Sequence, residues 1–122
     1  MGLVVFSGDV DRLASFYENV LDLKSHREDS GDVRLTGRGE EILVHSIAPH
    51  IASQFTIARP PVERHESALK PIFDVPSLEL ALDRVREFEG VVTTRTFSLA
   101  GLVRHDVLDP DGNVIQLRSP AH

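Results

Sequence analysis

The sequence contains no cysteine and no tryptophan, and it has only one methionine and one tyrosine. Without cysteine the chain can form no disulfide, no catalytic thiolate and no zinc site of the cysteine type. The first residues also lack the basic flank and the small-residue cleavage site of a signal peptide. We therefore expect a cytoplasmic protein.

Long hydrophobic runs and an excess of basic charge are missing too. No apolar stretch approaches the roughly 20 residues that span a bilayer, so no membrane partner is predicted. The 13 basic and 19 acidic residues give a formal charge of −6. Nucleic-acid binding favours a basic face, so no nucleic-acid partner is predicted. With 122 residues, of which 41% are hydrophobic, residues 1–122 are predicted to form a single domain with its own core.

Two helical patterns occur in the chain, and each follows a short apolar strand. The first begins at Asp9 and the second at Asp74, and in both the apolar residues recur at helical spacing. Extended segments separated by turn residues follow each helix. Each half is therefore predicted to have the order βαβββ, with module one at about residues 1–48 and module two at about 68–120.

A linker at about residues 49–67 joins the two modules. It is long for a structureless loop, so it is predicted to carry a short helix or to cross over a partner subunit. After the linker, Pro76 fits the first turn of the second helix and Gly90 fits its C-terminal cap.

These elements define an α+β fold. One βαβββ unit forms a curved four-stranded sheet with its helix on one face, and the other face stays open. Two such units side by side are expected to form a half-barrel with a concave ligand cavity.

The segment Asp109–Leu117 reads DPDGNVIQL. In it Pro presets φ, Asp caps its own backbone and Gly accepts positive φ, so a tight turn between two antiparallel strands is predicted. The segment resembles the D-P-D-G-N-x-I-E-L motif of the vicinal oxygen chelate superfamily. That superfamily groups glyoxalase I, extradiol dioxygenases, fosfomycin-resistance enzymes and bleomycin-resistance proteins.

A second motif lies near the other end of the chain. The segment 9–23, DVDRLASFYENVLDL, is similar to the family's D-L-x-x-S-x-x-F-Y-x-x-V-L-G-L, with Leu13 at its usual Ser and Asp22 at its Gly. Together with the internal repeat, the two motifs extend the resemblance over nearly the whole chain.

The resemblance implies one metal ligand on each of four strands. The aligned positions hold Gly2, Leu43, Lys70 and Gln116. Gly2 and Leu43 have no donor atom, the Lys70 ammonium repels a cation, and Gln116 stands where the metalloenzymes have Glu. Because a divalent metal needs three or four converging donors, no cofactor is expected.

An offset ligand set is the alternative. A shift of two residues keeps a strand's inward face and would bring in Glu41 or His45 around Leu43. A divalent metal would then be held by Glu41, His45, His105 and Gln116.

Strand alternation predicts a cavity with an apolar floor and a few polar groups, which is typical of a small-molecule pocket. The expected ligand-binding residues are Gln116, Lys70, His45, Arg118 and Phe6. Lys70 and Arg118 either hold an anionic group of the ligand or pair with carboxylates.

The leading hypothesis is a protein that binds a small organic molecule without the standard metal, as the resemblance to the bleomycin-resistance type implies. The alternative is a metal-dependent lyase, isomerase or dioxygenase in which the metal polarises substrate oxygens. A third hypothesis is a metal-independent enzyme with His45 or His105 as general base. The resemblance also implies a homodimer.

Overall fold

The computed structural model describes residues 1–54 and 56–121. They fall into two compact units, Met1–Thr56 and Ile57–His122. The first unit contains β1 (Gly2–Ser7), α1 (Val10–Leu21), β2 (Lys24–Arg27), β3 (Val33–Gly37), β4 (Glu40–Ser46) and α2 (Pro49–Ala52). The second contains β5 (Ile72–Asp74), α3 (Leu78–Glu87), β6 (Val91–Leu99), β7 (Leu102–Leu108) and β8 (Val114–Pro120).

The two units have the same sheet design. The strand order is β1-β4-β3-β2 in the first and β5-β8-β7-β6 in the second. In each sheet the strand before the helix pairs in parallel with the last strand, and the other pairs are antiparallel. The predicted α+β fold with two βαβββ modules is confirmed.

Helix α1 begins and ends at aspartates. The Asp9 side chain accepts a hydrogen bond from the backbone N–H of Arg12 at 3.2 Å, which caps the first turn. At the other end Asp22 takes the left-handed conformation with φ of 55°, and its N–H donates to the carbonyl of Glu18. The apolar side chains of α1, Leu13, Phe16, Tyr17, Val20 and Leu21, are buried. They form the core of this unit with the inward residues of the sheet.

Helix α3 begins two residues after the proline that was expected in its first turn. The Ser77 side chain accepts a hydrogen bond from the N–H of Leu80, so Ser77 is the N-cap and the helix starts at Leu78. Pro76 therefore precedes the cap instead of lying in the first turn, where it was predicted. A serine cap satisfies a backbone donor that proline cannot.

The C-terminus of α3 also differs from the prediction. The cap is Phe88, and the residue in the left-handed conformation is Glu89, with φ of 69°. Gly90 follows it and donates its N–H to the carbonyl of Val85 at 2.8 Å. The chain thus closes the helix with a non-glycine residue in a conformation that glycine adopts at least cost.

The predicted linker contains the short helix α2, as expected. After it, residues 61–64 run over the β7–β8 turn. The backbone N–H of Arg64 donates to the carbonyl of Gly112 at 3.0 Å, and Arg64 Nε donates to the carbonyl of Asp111 at 2.9 Å. The Asp109 carboxylate accepts the N–H groups of Asp111 and Asn113. The turn is buried beneath this segment.

None of the helices in the described ranges combines the length and the apolar character that crossing a bilayer requires.

Candidate functional site

The open face of the second sheet carries an unusual number of buried polar side chains. Asp106 pairs with Gln116 across β7 and β8, so both point to the same face, and Arg104 lies two residues from Asp106 on that face. Ile115 and Leu117 alternate to the other face, where they are fully buried in the core with α3. Asp106, Gln116 and Arg104 are at least nine-tenths buried.

Asp106 is the centre of this cluster. Its Oδ2 accepts from Lys70 Nζ at 2.8 Å and from Arg95 Nε at 3.1 Å, and its Oδ1 accepts from Gln116 Nε2 at 3.2 Å. Burial by itself would raise the pKa of Asp106, but the hydrogen bonds from Lys70, Gln116 and Arg95 outweigh burial and lower the pKa. The carboxylate is therefore ionised at neutral pH.

Gln116 is held at both ends of its amide. Its nitrogen donates to Asp106, and its oxygen accepts from Arg104 Nη1 at 3.2 Å. Arg104 Nε is buried and has no hydrogen-bond partner within the described residues. The amide oxygen, which is the only atom of Gln116 suited to coordinate a metal, thus faces a guanidinium.

Arg95 extends the cluster outward. The register of β6 against β7 shifts between Val92 and Thr96, and such a bulge re-aims side chains. From this bulge Arg95 Nη2 donates to Glu63 Oε1 at 2.9 Å while its Nε donates to Asp106. The bonds to Glu63 and then to Asp106 raise the pKa of Arg95.

A cavity of about 370 Å³ adjoins the cluster. Most of its lining comes from the segment before β5, and Arg95 of β6 and Val114 of β8 complete it. The lining residues of that segment are Glu63, Arg64, His65, Ser67, Ala68, Leu69 and Lys70. The size of the cavity lies at the lower end of the range for small-molecule sites.

The donors present do not fit a divalent metal. Lys70 and Gln116, the two aligned ligand positions of this unit, are brought together, but both donate to Asp106. Three cationic side chains, Lys70, Arg95 and Arg104, stand around that single carboxylate and would repel a further cation. Over residues 1–54 and 56–121, no group of three or more His, Cys, Asp or Glu side chains is arranged to hold a metal ion.

His105 does not join Gln116. It pairs with Leu117 across the strands and therefore lies on the opposite face from Gln116, and its Nε2 is 2.6 Å from the carbonyl oxygen of Thr93. The alternation of β7 and β8 thus puts His105 and Gln116, two members of the offset metal set, on opposite faces of the second sheet.

Arg118 lies on the same face as Gln116 but is paired. Its Nε is 2.6 Å from Asp74 Oδ1 and its Nη2 is 3.3 Å from Asp74 Oδ2, which makes a two-point ion pair. This contact with Asp74 raises the pKa of Arg118.

His45 and Phe6 lie next to each other on the open face of the first sheet. Their rings meet edge to face with centroids 5.4 Å apart, and Phe6 is 60% exposed. Behind them the buried Asp32 carboxylate lies 2.5 Å from His45 Nδ1 and accepts the N–H of Ser46. The Ser46 and His45 hydrogen bonds lower the pKa of Asp32.

The aligned positions of the first unit carry no metal ligand either. Gly2 pairs with Glu41, and Leu43 lies two residues further along β4, so all three share the open face with His45. Glu41 and His45 are thus on one face of one strand, and Leu43 separates them.

Sequence reasoning missed Asp106, Arg95 and Asp32. For Asp106 the signal was present, since counting outward from the D-P-D-G turn pairs residue 106 with residue 116. Arg95 reaches the cluster only through the β6 bulge. Asp32 follows the turn-forming residues Ser30 and Gly31 in the sequence, yet it is a buried partner of His45.

Two helix-covered four-stranded sheets with the βαβββ order define the glyoxalase-like class of α+β proteins. The sequence profile described as the Glyoxalase/Bleomycin resistance protein/Dioxygenase superfamily matches residues 2–117. The chain belongs to this superfamily. Among curated proteins none matches the chain.

Solved structures share the fold at low identity. The hypothetical protein SA1046 from S. aureus is 15% identical over 98% of this chain and 95% of its own, with a TM-score of 0.69. A glyoxalase/bleomycin resistance protein/dioxygenase family enzyme from Burkholderia phytofirmans PsJN is 17% identical over 98% and 97%, with a TM-score of 0.66. The fosfomycin resistance protein FosX from Listeria monocytogenes is 10% identical over 99% and 92%, with a TM-score of 0.70.

Proposed function

We propose that this superfamily member binds a small organic molecule at the open face of its second sheet and does so without a divalent metal. The observation that carries the proposal is the Asp106 cluster. Lys70 and Gln116 stand at aligned ligand positions, and both are committed to one buried carboxylate beside a cavity of about 370 Å³.

The energetics favour a polar binding wall over a metal centre. Asp106 would have to leave Lys70 and Arg95 before it could coordinate an ion. A bound ion would also bring a further positive charge close to the Lys70 ammonium and the Arg95 guanidinium, which would lose their shared carboxylate partner. The satisfied cluster instead presents fixed hydrogen-bonding groups, which orient a ligand at little cost in entropy.

Metal content is the first test. The untagged protein is dialysed against Mn, Fe, Co, Ni and Zn in turn, and the metal per chain is measured by mass spectrometry. We expect no stoichiometric metal. A metal that resists dialysis would overturn the metal-free proposal and favour a metal-dependent lyase, isomerase or dioxygenase.

Ligand binding is tested by a thermal-shift screen of small organic molecules. A ligand present at 100 times its Kd stabilises the folded state by about 2.7 kcal/mol. We expect Gln116→Met to remove the shift that a true ligand causes, and Asn19→Met on the exposed face of α1 to keep it. If no compound shifts the wild type, the binding proposal fails.

A metal-independent enzyme is the second candidate, and the pair of His45 and Asp32 favours it. With the Asp32 carboxylate bound to Nδ1, the ring proton is held there and Nε2 is free to accept a proton from a ligand. The test is whether a ligand from the screen is recovered chemically changed by wild type and unchanged by His45→Gln. Recovery of unchanged ligand from the wild type removes this candidate.

We also propose a cytoplasmic homodimer. The absence of cysteine fits a reducing compartment, and the resemblance to the superfamily implies that two copies of the chain associate. The exposed apolar side chains Phe6 and Phe97, at 60% and 45%, support burial by a second copy. Sedimentation equilibrium at micromolar concentration should give twice the chain mass, and a monomer would contradict the proposal.

A further inference from the structure

The cavity beside the Asp106 cluster has a charge opposite to that of the whole protein. The chain carries a formal charge of −6. Yet the cavity lining contains three permanent cations, Arg64, Lys70 and Arg95, and one acidic side chain, Glu63. Even when the buried Asp106 behind them is counted, positive charge exceeds negative charge at this place.

Arg64 carries most of this excess. Its Nε donates to the carbonyl of Asp111, and in the part of the chain that the structure describes no carboxylate pairs with its guanidinium. Its backbone N–H is fixed to Gly112. Arg64 is therefore a held cation whose terminal N–H groups remain for another acceptor.

Lys70 and Arg95 have donors to spare. An ammonium has three N–H donors and a guanidinium has five. Lys70 uses one on Asp106, and Arg95 uses two on Asp106 and Glu63. Their side chains are 43% and 46% exposed, so the remaining donors are accessible from the cavity.

Apolar surface lies next to these cations. Ala68, Leu69 and Val114 line the same cavity, and Leu69 is 82% exposed. A ligand that suits the whole lining has a charged end for the cations and a short apolar body for these side chains.

We propose that this cavity binds a small organic oxyanion, a carboxylate or a phosphate monoester on a compact apolar body. Arg64, Lys70 and Arg95 hold the oxyanion, since guanidinium groups match such oxygens in charge and geometry. The inference rests on the proposed small-molecule function and specifies its ligand class.

The test is a titration followed by ¹H–¹⁵N correlation NMR, with benzoate, phenyl phosphate and the neutral isostere benzamide as probes. We expect benzoate or phenyl phosphate to shift the signals of Ser67, Leu69 and Arg95 Nε. The affinity should exceed that of benzamide by about tenfold or more. It should also fall as salt rises, because the lining is partly exposed to screening. The tighter of the two anions identifies the acid group.

Two charge variants localise the binding. Ala68→Glu adds an anion to the lining without removing a hydrogen bond of the cluster, and it should weaken anion binding by about tenfold or more. Ser98→Glu adds the same charge on β6 outside the cavity and should leave the affinity unchanged. Spectra of the free variants show whether each is folded.

The outcomes separate the two proposals. Equal binding of benzamide and the anions, or equal loss in both variants, overturns the oxyanion inference and leaves small-molecule binding standing. Absence of shifts at about 10 mM of every probe, where even a Kd in the millimolar range is visible, overturns the inference as well. The binding function fails separately, when the broad ligand screen is also empty.

Discussion

Gly112 is the residue where local geometry leaves least freedom. A Cβ placed there would lie 2.2 Å from the carbonyl oxygen of Val62, and φ is 86°. Gly101, in the β6–β7 turn, has a similar φ of 76°, but a Cβ there would meet nothing within 4 Å. Alanine substitutions at these two glycines therefore separate the destabilisation caused by positive φ from the destabilisation caused by a clash with the backbone.

We expect Gly112→Ala to lower the free energy of unfolding by at least about 3 kcal/mol, since backbone must move in addition to the left-handed strain. Gly101→Ala should cost only about 1–2 kcal/mol, the strain alone. Urea denaturation measures both. Equal losses would show that residues 61–64 do not pack on the turn as described.

The residues in the left-handed conformation at the helix ends are sites where substitution by glycine should raise the free energy of unfolding. Glu89 has φ of 69° and Asp22 has φ of 55°, conformations that glycine adopts without the Cβ penalty. Glu89→Gly should raise the free energy of unfolding by about 1 kcal/mol, and Asp22→Gly by less because aspartate tolerates this region better. A loss of stability on Glu89→Gly in denaturant titration would contradict the assignment.

At the scale of secondary structure, the sequence predicts the order of helices and strands and the face on which each strand residue lies. It does not predict the contacts that long side chains make. Counting from the D-P-D-G turn predicts β7 and β8, and the resemblance to the superfamily implies that Lys70 and Gln116 share one site. Strand β5 is shorter than the apolar run from Leu69 suggests, because pairing with β8 starts at Ile72. The bulge that aims Arg95 leaves no mark in the hydrophobic pattern.

The pairing of β7 with β8 also predicts the effect of replacing Gln116 by the glutamate that the superfamily motif has at this position. In Gln116→Glu the new carboxylate would lie beside Asp106, which repels it, and Arg104, which attracts it. We expect an ion pair with Arg104 and no gain in Zn or Mn affinity by titration calorimetry. A rise in metal affinity of about tenfold or more would show that the position is a latent metal site.

For the whole molecule, the lowered pKa values of Asp32 and Asp106 make stability depend on pH in the acid range. In the unfolded chain Asp titrates near about 3.9. On acidification the unfolded state binds protons first, so the stabilisation is present above that pH and is lost as pH falls through the lower folded pKa values.

Urea denaturation between about pH 3 and 6 should therefore show a free energy of unfolding that falls on the acid side of about pH 4. In Asp32→Asn the fall should be shallower, because one linked proton is gone. An unchanged slope in that variant would mean that the Asp32 contacts to His45 and Ser46 contribute nothing to stability.

The D-P-D-G turn, which carries the resemblance to the superfamily, is buried. Asp109 and Asp111 are at most 5% exposed, and residues 61–64 cover the loop between β7 and β8. The D-P-D-G turn is thus not accessible to a ligand from solvent. The D-P-D-G turn of this chain therefore shapes the β7–β8 hairpin, and the Asp109 carboxylate is occupied by backbone N–H groups of the turn itself. Residues 61–64 connect this buried turn to the cavity, because Arg64 donates to the carbonyls of Asp111 and Gly112 and also lines the cavity.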